Sequence, residues 1–247
     1  MTLKPAQTTV LLAATALAAA APPLASAADF TVTPTVTNDY DFRGISLSAR
    51  DPALQISFDV TTESGFKAYA WASNTDIGVD GVDAELDLSL GWAGGGDKLS
   101  WDAGVVWYTY LGGSELNYPE AWVGASRAVS AAFNVSGKVW YSWDYANLSD
   151  SAYYLDLNAS YALPVADIGL TLHAGYSGGK YWDNLNNGGY TDFSVGLTKS
   201  VGNLNFALKF IDGSDLPDTG SRINSTDQKV VLSLSTTLPW QNTGASP

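Results

Sequence analysis

Ala84-Glu85-Leu86-Asp87-Leu88-Ser89-Leu90-Gly91-Trp92 alternates polar and apolar residues without a break. Successive side chains of an extended strand point to opposite faces. The leucines and Trp92 therefore share one face, while Glu85, Asp87, Ser89 and Gly91 share the other. The first face suits lipid and the second suits water. Alternating segments of this kind recur near residues 30–42, 53–62, 66–74, 83–92, 99–110, 119–128, 133–145, 152–162, 168–176, 190–200, 204–212 and 227–238. They number twelve, and an even count of roughly ten-residue alternating strands predicts an all-β, closed, transmembrane antiparallel β-barrel.

The linkers separate a barrel from a soluble β-sandwich. Those after the even-numbered strands are short: Thr-Glu-Ser, Ala-Gly-Gly-Gly-Asp-Lys, Val-Ser-Ala-Ala, Pro-Val-Ala-Asp and Val-Gly-Asn. Those after the odd-numbered strands are mostly longer and more polar, as in 177–189 and 213–226. Short periplasmic turns and long extracellular loops are a barrel's habit. A charge on the lipid face costs about 2 to 4 kcal/mol near the bilayer midplane. The outward phase carries Leu54, Phe58, Val123, Val139, Leu157, Leu172, Leu197, Phe210 and Leu232, and its only charges are Arg127 and Lys199 at the short-turn end. Trp92, Trp101, Phe133, Tyr161 and Trp240 are expected at the inner rim. Trp107, Tyr110, Tyr118, Trp143, Tyr153 and Tyr190 are expected at the outer one, since these amphipathic rings suit an interface.

Residues 1–27 read as a cleaved secretory signal: Lys4, an apolar run from Val10 to Ala21, then Ala25-Ser26-Ala27. The run is too short for a spanning helix, although a retained anchor is the alternative reading. Residues 28–240 then form the barrel and 241–247 a short tail. The net charge of −13 and the lack of a basic cluster argue against nucleic acid as a partner. No cysteine is present, so disulfides, thiolate metal sites and a lipidated N-terminal cysteine are excluded. Strand pairing in a bacterial outer membrane supplies the stability instead.

Asn38-Asp39-Tyr40-Asp41-Phe42-Arg43-Gly44-Ile45-Ser46, Asp51-Pro52-Ala53-Leu54-Gln55, Ala70-Trp71-Ala72-Ser73-Asn74 and Glu85-Leu86-Asp87 together resemble the N-terminal signature of the TorF-type porin family. That resemblance implies a signal-bearing proteobacterial outer-membrane barrel. Departures are Asp41 where an apolar residue is usual, Ile56-Ser57 in place of a glycine pair, and the overhang after Trp240. Trp240 is the candidate aromatic for the barrel-insertion machinery. Outer-membrane lipid and lipopolysaccharide are the other expected contacts.

The inward phase sets the function. Asp59, Glu85, Asp87, Asp102, Glu120, Asp144, Asp156 and Asp192 face Lys67, Lys138, Lys209 and Lys229 across the bore. This acidic surplus predicts a diffusion channel for small hydrophilic solutes that prefers cations. Tyr69, Trp71, Tyr108, Trp122 and Trp140 share the lumen face and narrow it. His173 is read as a hydrogen-bonded lumen residue, since no neighbouring serine or second histidine completes a catalytic or metal set. Arg43 either folds inward to narrow the entrance or lies solvated in the first long loop. No enzyme activity, cofactor or metal site is expected. The alternative function is a structural or surface-binding barrel with a plugged lumen, and monomer and trimer fit the sequence equally.

Overall fold

A computed structural model of the protein describes residues 28–186, 188–215 and 220–240. The expected signal segment and the tail lie outside these residues. Twelve strands close an antiparallel barrel: β1 (Ala28–Thr37), β4 (Ala53–Thr62), β5 (Phe66–Asn74), β6 (Ala84–Gly96), β7 (Leu99–Leu111), β8 (Tyr118–Ala128), β9 (Phe133–Ser142), β10 (Ala152–Ala162), β11 (Ile168–Gly178), β12 (Tyr190–Val201), β13 (Leu204–Ser214) and β14 (Lys229–Ser235). Each strand pairs with its neighbour in the barrel sequence, and β1 joins β14 to complete the ring. The two remaining strands, β2 (Asp41–Phe42) and β3 (Ile45–Ser46), form a separate hairpin in the first long loop. One short helix, α1 (Lys180–Asn186), lies in the loop between β11 and β12.

Register carries the alternation around the ring. Glu85 opposes Tyr110, Tyr108 opposes Tyr118, Trp122 opposes Trp140, and Asp156 opposes Lys138. Residues directly opposite in a sheet share a face, so all of these point into the bore. The other face shows the reverse chemistry: Leu90 and Leu157 are 53% and 61% exposed, whereas Glu85 and Asp87 are 1% and 7%. A barrel with apolar residues outside and acids inside is inverted relative to a soluble protein, and only lipid accommodates its outer surface.

Several strand ends differ from the sequence reading. The first strand stops at Thr37 rather than 42, because the chain turns into the barrel there. The β6–β7 hairpin tightens to a turn at Asp97-Lys98, since the glycines read as a linker continue the ladder as far as Gly96. Strand β9 ends at Ser142 rather than 145, which leaves Asp144 in a turn where its carboxylate accepts the Ser149 N–H at 2.7 Å. The last strand covers only Lys229–Ser235, and the seam with β1 is lengthened by Val32 and Leu238 bonding to one another.

The aromatic rims also need correction. Trp107 and Trp143 are exposed on the outside as expected. Tyr118 and Tyr190 are only 3% and 1% exposed, and Tyr110 packs with them inside the long-loop mouth. Parity explains the difference. Tyr110 shares the phase of Tyr108, Tyr118 that of Glu120, and Tyr190 that of Asp192, so pleating sends all three rings inward.

Candidate functional site

The site is built by residues 38–52, which run from the end of β1 back to β4 through the barrel. Asp39 organises the segment: its Oδ1 accepts the Ser46 hydroxyl at 2.6 Å and the Ser48 hydroxyl at 3.0 Å. Ser48 Oγ also accepts the Tyr40 N–H at 2.9 Å. At the tip, Arg43 and Gly44 have φ of 52° and 84°. Two successive positive φ values define the mirror-image turn that joins short hairpins, and a glycine takes the second position without strain. Neighbouring loops hold the hairpin in place, with Ser46 N–H donating to the Ser225 carbonyl at 2.8 Å and Asp76 N–H to the Leu47 carbonyl at 2.8 Å.

This hairpin crosses the bore. Arg43 makes a bidentate pair with Glu120 of β8, Nη1 to Oε1 at 2.9 Å and Nη2 to Oε2 at 2.5 Å. Its guanidinium carbon lies 4.6 Å, 5.8 Å and 4.4 Å from the ring centres of Phe42, Trp140 and Tyr154. Lys229 of β14 donates to the Gly44 carbonyl at 3.0 Å and pairs with Asp41 at 2.8 Å. In the ring, β14 and β8 lie six strands apart in a barrel of twelve, on opposite walls. The hairpin is therefore clamped at both ends of a diameter. Both clamps are buried, with Arg43, Glu120 and Lys229 side chains 9%, 0% and 4% exposed. Bidentate geometry and ring contacts compensate the desolvation that burying such charges costs.

Aromatic rings seal the space around the hairpin at the long-loop end. Tyr108 stacks on Tyr118 at 4.7 Å, Tyr118 meets Tyr145 at 4.7 Å, and Trp182 of α1 meets Tyr190 at 4.8 Å. The Tyr190 hydroxyl donates to the Arg43 carbonyl at 3.1 Å. Tyr40 donates to Glu85 at 3.1 Å and packs at a tilt against Trp71, ring centres 5.1 Å apart. Glu85, Asp87 and Glu120 are thus enclosed by protein rather than lining open water. Asp192 is also buried, accepting from Tyr154 at 3.0 Å and lying 2.7 Å from His173 Nε2.

Below the hairpin the lumen changes character. Lys138 pairs with Asp102 at 2.7 Å, and Trp122 Nε1 donates to the same carboxylate at 2.6 Å. His173 sits between Asp192 and Asp156, the latter 3.3 Å from Nδ1, which makes it one member of a polar ladder. Asn134, Ser136, Asn158, Ser160, Thr171 and Lys209 then line a polar hollow of about 200 Å³. Asp59, Lys67 and Tyr69 lie on β4 and β5 across the ring, with Asp59 opposite Tyr69. Among the expected residues, the structure gathers Arg43, Tyr108, Glu120 and Trp140 around the clamp and leaves Asp144 in a loop.

Three contributors escaped the sequence reading. Asp39 and Asp41 organise and clamp the hairpin, and Tyr154 bridges Arg43 to Asp192. Tyr154 shares its phase with Asp156, so alternation alone places it inside. The Arg43-Gly44 pair between short alternating runs is the local signal for the hairpin.

The barrel is similar to solved outer-membrane porins. The NanC porin aligns with a TM-score of 0.56 at 10% identity, over 85% of this chain and 98% of that one. The KdgM porin, solved in complex with disordered oligogalacturonate, aligns with a TM-score of 0.55 at 10% identity, over 84% and 96%. At such identities the likeness shows the fold alone. No curated protein matches the chain. The family model that covers residues 20–238 supplies the remaining assignment: the chain belongs to Gcw_chp, a family of bacterial proteins of unknown function.

Proposed function

We propose that the protein is an outer-membrane channel for small hydrophilic solutes that prefers cations, with its outer mouth constricted by the Arg43 hairpin. The observation that carries this reading is the hairpin clamped across a closed barrel above a polar lumen. Eight strands let side chains fill a barrel and sixteen leave a wide channel, so at twelve the inserted segment decides how much of the bore stays open. Acids outnumber bases on the inward faces, although most of that surplus is enclosed at the outer mouth, and residues 38–92 resemble TorF-type porins; both support the same reading. A polyanionic sugar such as the oligogalacturonate of KdgM suits this charge poorly. Export through the 1–27 signal and insertion guided by Trp240 belong to the proposal.

A second reading, a plugged barrel with structural or surface-binding work, is favoured by the same clamps. Arg43–Glu120, Lys229–Asp41 and the tyrosine cluster occupy the mouth. Single-channel recording in a planar bilayer under a salt gradient separates the two. Discrete steps with a cation-selective reversal potential, enlarged when residues 41–46 are replaced by a glycine-serine turn, establish the channel. Silence from folded, inserted wild type, with conduction appearing only in that deletion, establishes the plug.

A further inference from the structure

Above the hairpin, on the side away from the polar lumen, lies a cavity of about 570 Å³ that neither conduction nor plugging requires. Phe42, Ile45 and Tyr118 contribute to its floor, and Tyr145, Tyr181 and Trp182 stand together in its wall. Those last three rings meet at steep angles: Tyr145 to Tyr181 at 4.7 Å and 55°, Tyr145 to Trp182 at 5.9 Å and 53°, and Tyr181 to Trp182 at 4.9 Å and 90°. Tyr145 and Trp182 are buried and Tyr181 is half-buried, so Tyr181 packs on the other two and is the ring a ligand in the cavity reaches; the face of such a ring attracts an ammonium group. The volume falls within the usual range for small-molecule sites, about 300 to 1,000 Å³.

The rim supplies the charge. Exposed Asp76, Asp80, Glu115 and Asp183 are each adjacent in sequence to a residue lining the cavity: Ile77, Val79, Leu116 and Trp182. None of these four carboxylates forms an ion pair among the described residues. The basic side chains of the loops around the mouth are engaged: Lys180 with Asp150, Arg50 with Asp227, Arg222 with Asp51, and Arg43 with Glu120. The surplus at the mouth is therefore negative, and the surface beneath it is aromatic and apolar.

We infer that this cavity is a binding site for organic ammonium cations with an aromatic or alkyl body, taken from the outer side of the barrel. The cationic head is drawn in by the rim carboxylates and rests against the Tyr181 ring, which Tyr145 and Trp182 back from behind. The apolar body covers Ile45, Leu116 and Leu185. An anion of the same size meets repulsion at the rim, and a neutral isostere forgoes both the rim attraction and the ring quadrupoles. Binding needs no passage through the hairpin, so the site is independent of whether the barrel conducts.

The test is calorimetric titration of the full chain in phosphatidylcholine nanodiscs with benzyltrimethylammonium, benzyl alcohol and benzenesulfonate. Benzyltrimethylammonium is expected to bind one per barrel, at least tenfold more tightly than either of the others. That binding should weaken at least tenfold in Tyr181→Ala. A second variant, Glu115→Lys with Asp183→Lys, changes only exposed rim groups and guards against misfolding. It should remove the preference for the cation over benzenesulfonate. Equal affinity for cation and anion, equal affinity for cation and alcohol, absence of binding, or retention of full affinity in both variants overturns the inference. Since the readout is heat and not current, failure here is distinct from failure of the channel reading.

Discussion

The two halves of one bore are built differently. Toward the long loops, the hairpin, two clamped cations and a chain of tyrosines enclose the acids in protein. Toward the short turns, serines, asparagines and Lys209 border a hollow and keep part of their surface open. The strands are the same in both halves, and their alternation is equally regular. Strand pattern therefore makes the wall, whereas closure comes from a loop that returns into the barrel. Twelve strands enclose more space than their own side chains fill.

The largest expected effect breaks the better-packed half. Glu120→Ala strands the buried Arg43 guanidinium, and losing one partner of such a pair costs about 3 to 5 kcal/mol. Urea unfolding of the folded barrel should show that loss. Stability within about 1 kcal/mol of wild type would mean that the hairpin leaves the bore readily, which erases the contrast between the halves. Next comes packing below the hairpin. A Cβ at Gly104 would sit 2.4 Å from the Leu90 carbonyl oxygen and 2.6 Å from the Trp122 ring. Gly104→Val should therefore destabilise by about 1 to 3 kcal/mol, and an unchanged unfolding midpoint would show that both the ring and the β6 backbone give way.

Ion selectivity sharpens the comparison from the functional side. Asp156, whose side chain is 22% exposed, faces the open half, whereas Asp87 is 7% exposed behind the hairpin. In a conducting barrel, Asp156→Asn should move the reversal potential toward zero more than Asp87→Asn does. The opposite order would place the ion path on the Asp87 side of the hairpin.

The smallest effect lies outside the bore. Hydrogen bonds from Lys180 and Asn184 hold the Asp150 carboxyl below the usual carboxylate range. A folded-state value below the unfolded one means that the contribution is present above about pH 4 and lost as pH falls through the lowered value. Thermal unfolding of Asp150→Asn should differ slightly from wild type at neutral pH and converge with it in strong acid. A difference that persists in strong acid would assign the effect to packing of the loop.

Much of the fold was legible because a strand's period of two is short-range information. The Glu85 to Trp92 segment states its two faces with no reference to the rest of the chain, and register transmits that choice around the ring. Even where the rim assignment of Tyr110, Tyr118 and Tyr190 was wrong, their own parity held the right answer. The hairpin was less legible. By sequence Arg43 fits an inward or a solvated place equally, since nothing local decides whether residues 38–52 enter the barrel or extend outward. The clamp joins Arg43 to Glu120 across 77 positions and Gly44 to Lys229 across 185.

By itself, then, the sequence determined a twelve-stranded barrel with an apolar exterior and an acidic interior, because alternation, turn length and charge placement act over a few residues. Only the tertiary structure decided that the acids of the outer half are enclosed rather than bathed. Ring closure brings β8 and β14 to opposite walls at a separation the hairpin can span, and Arg43 and Lys229 hold it there through partners far away in the chain.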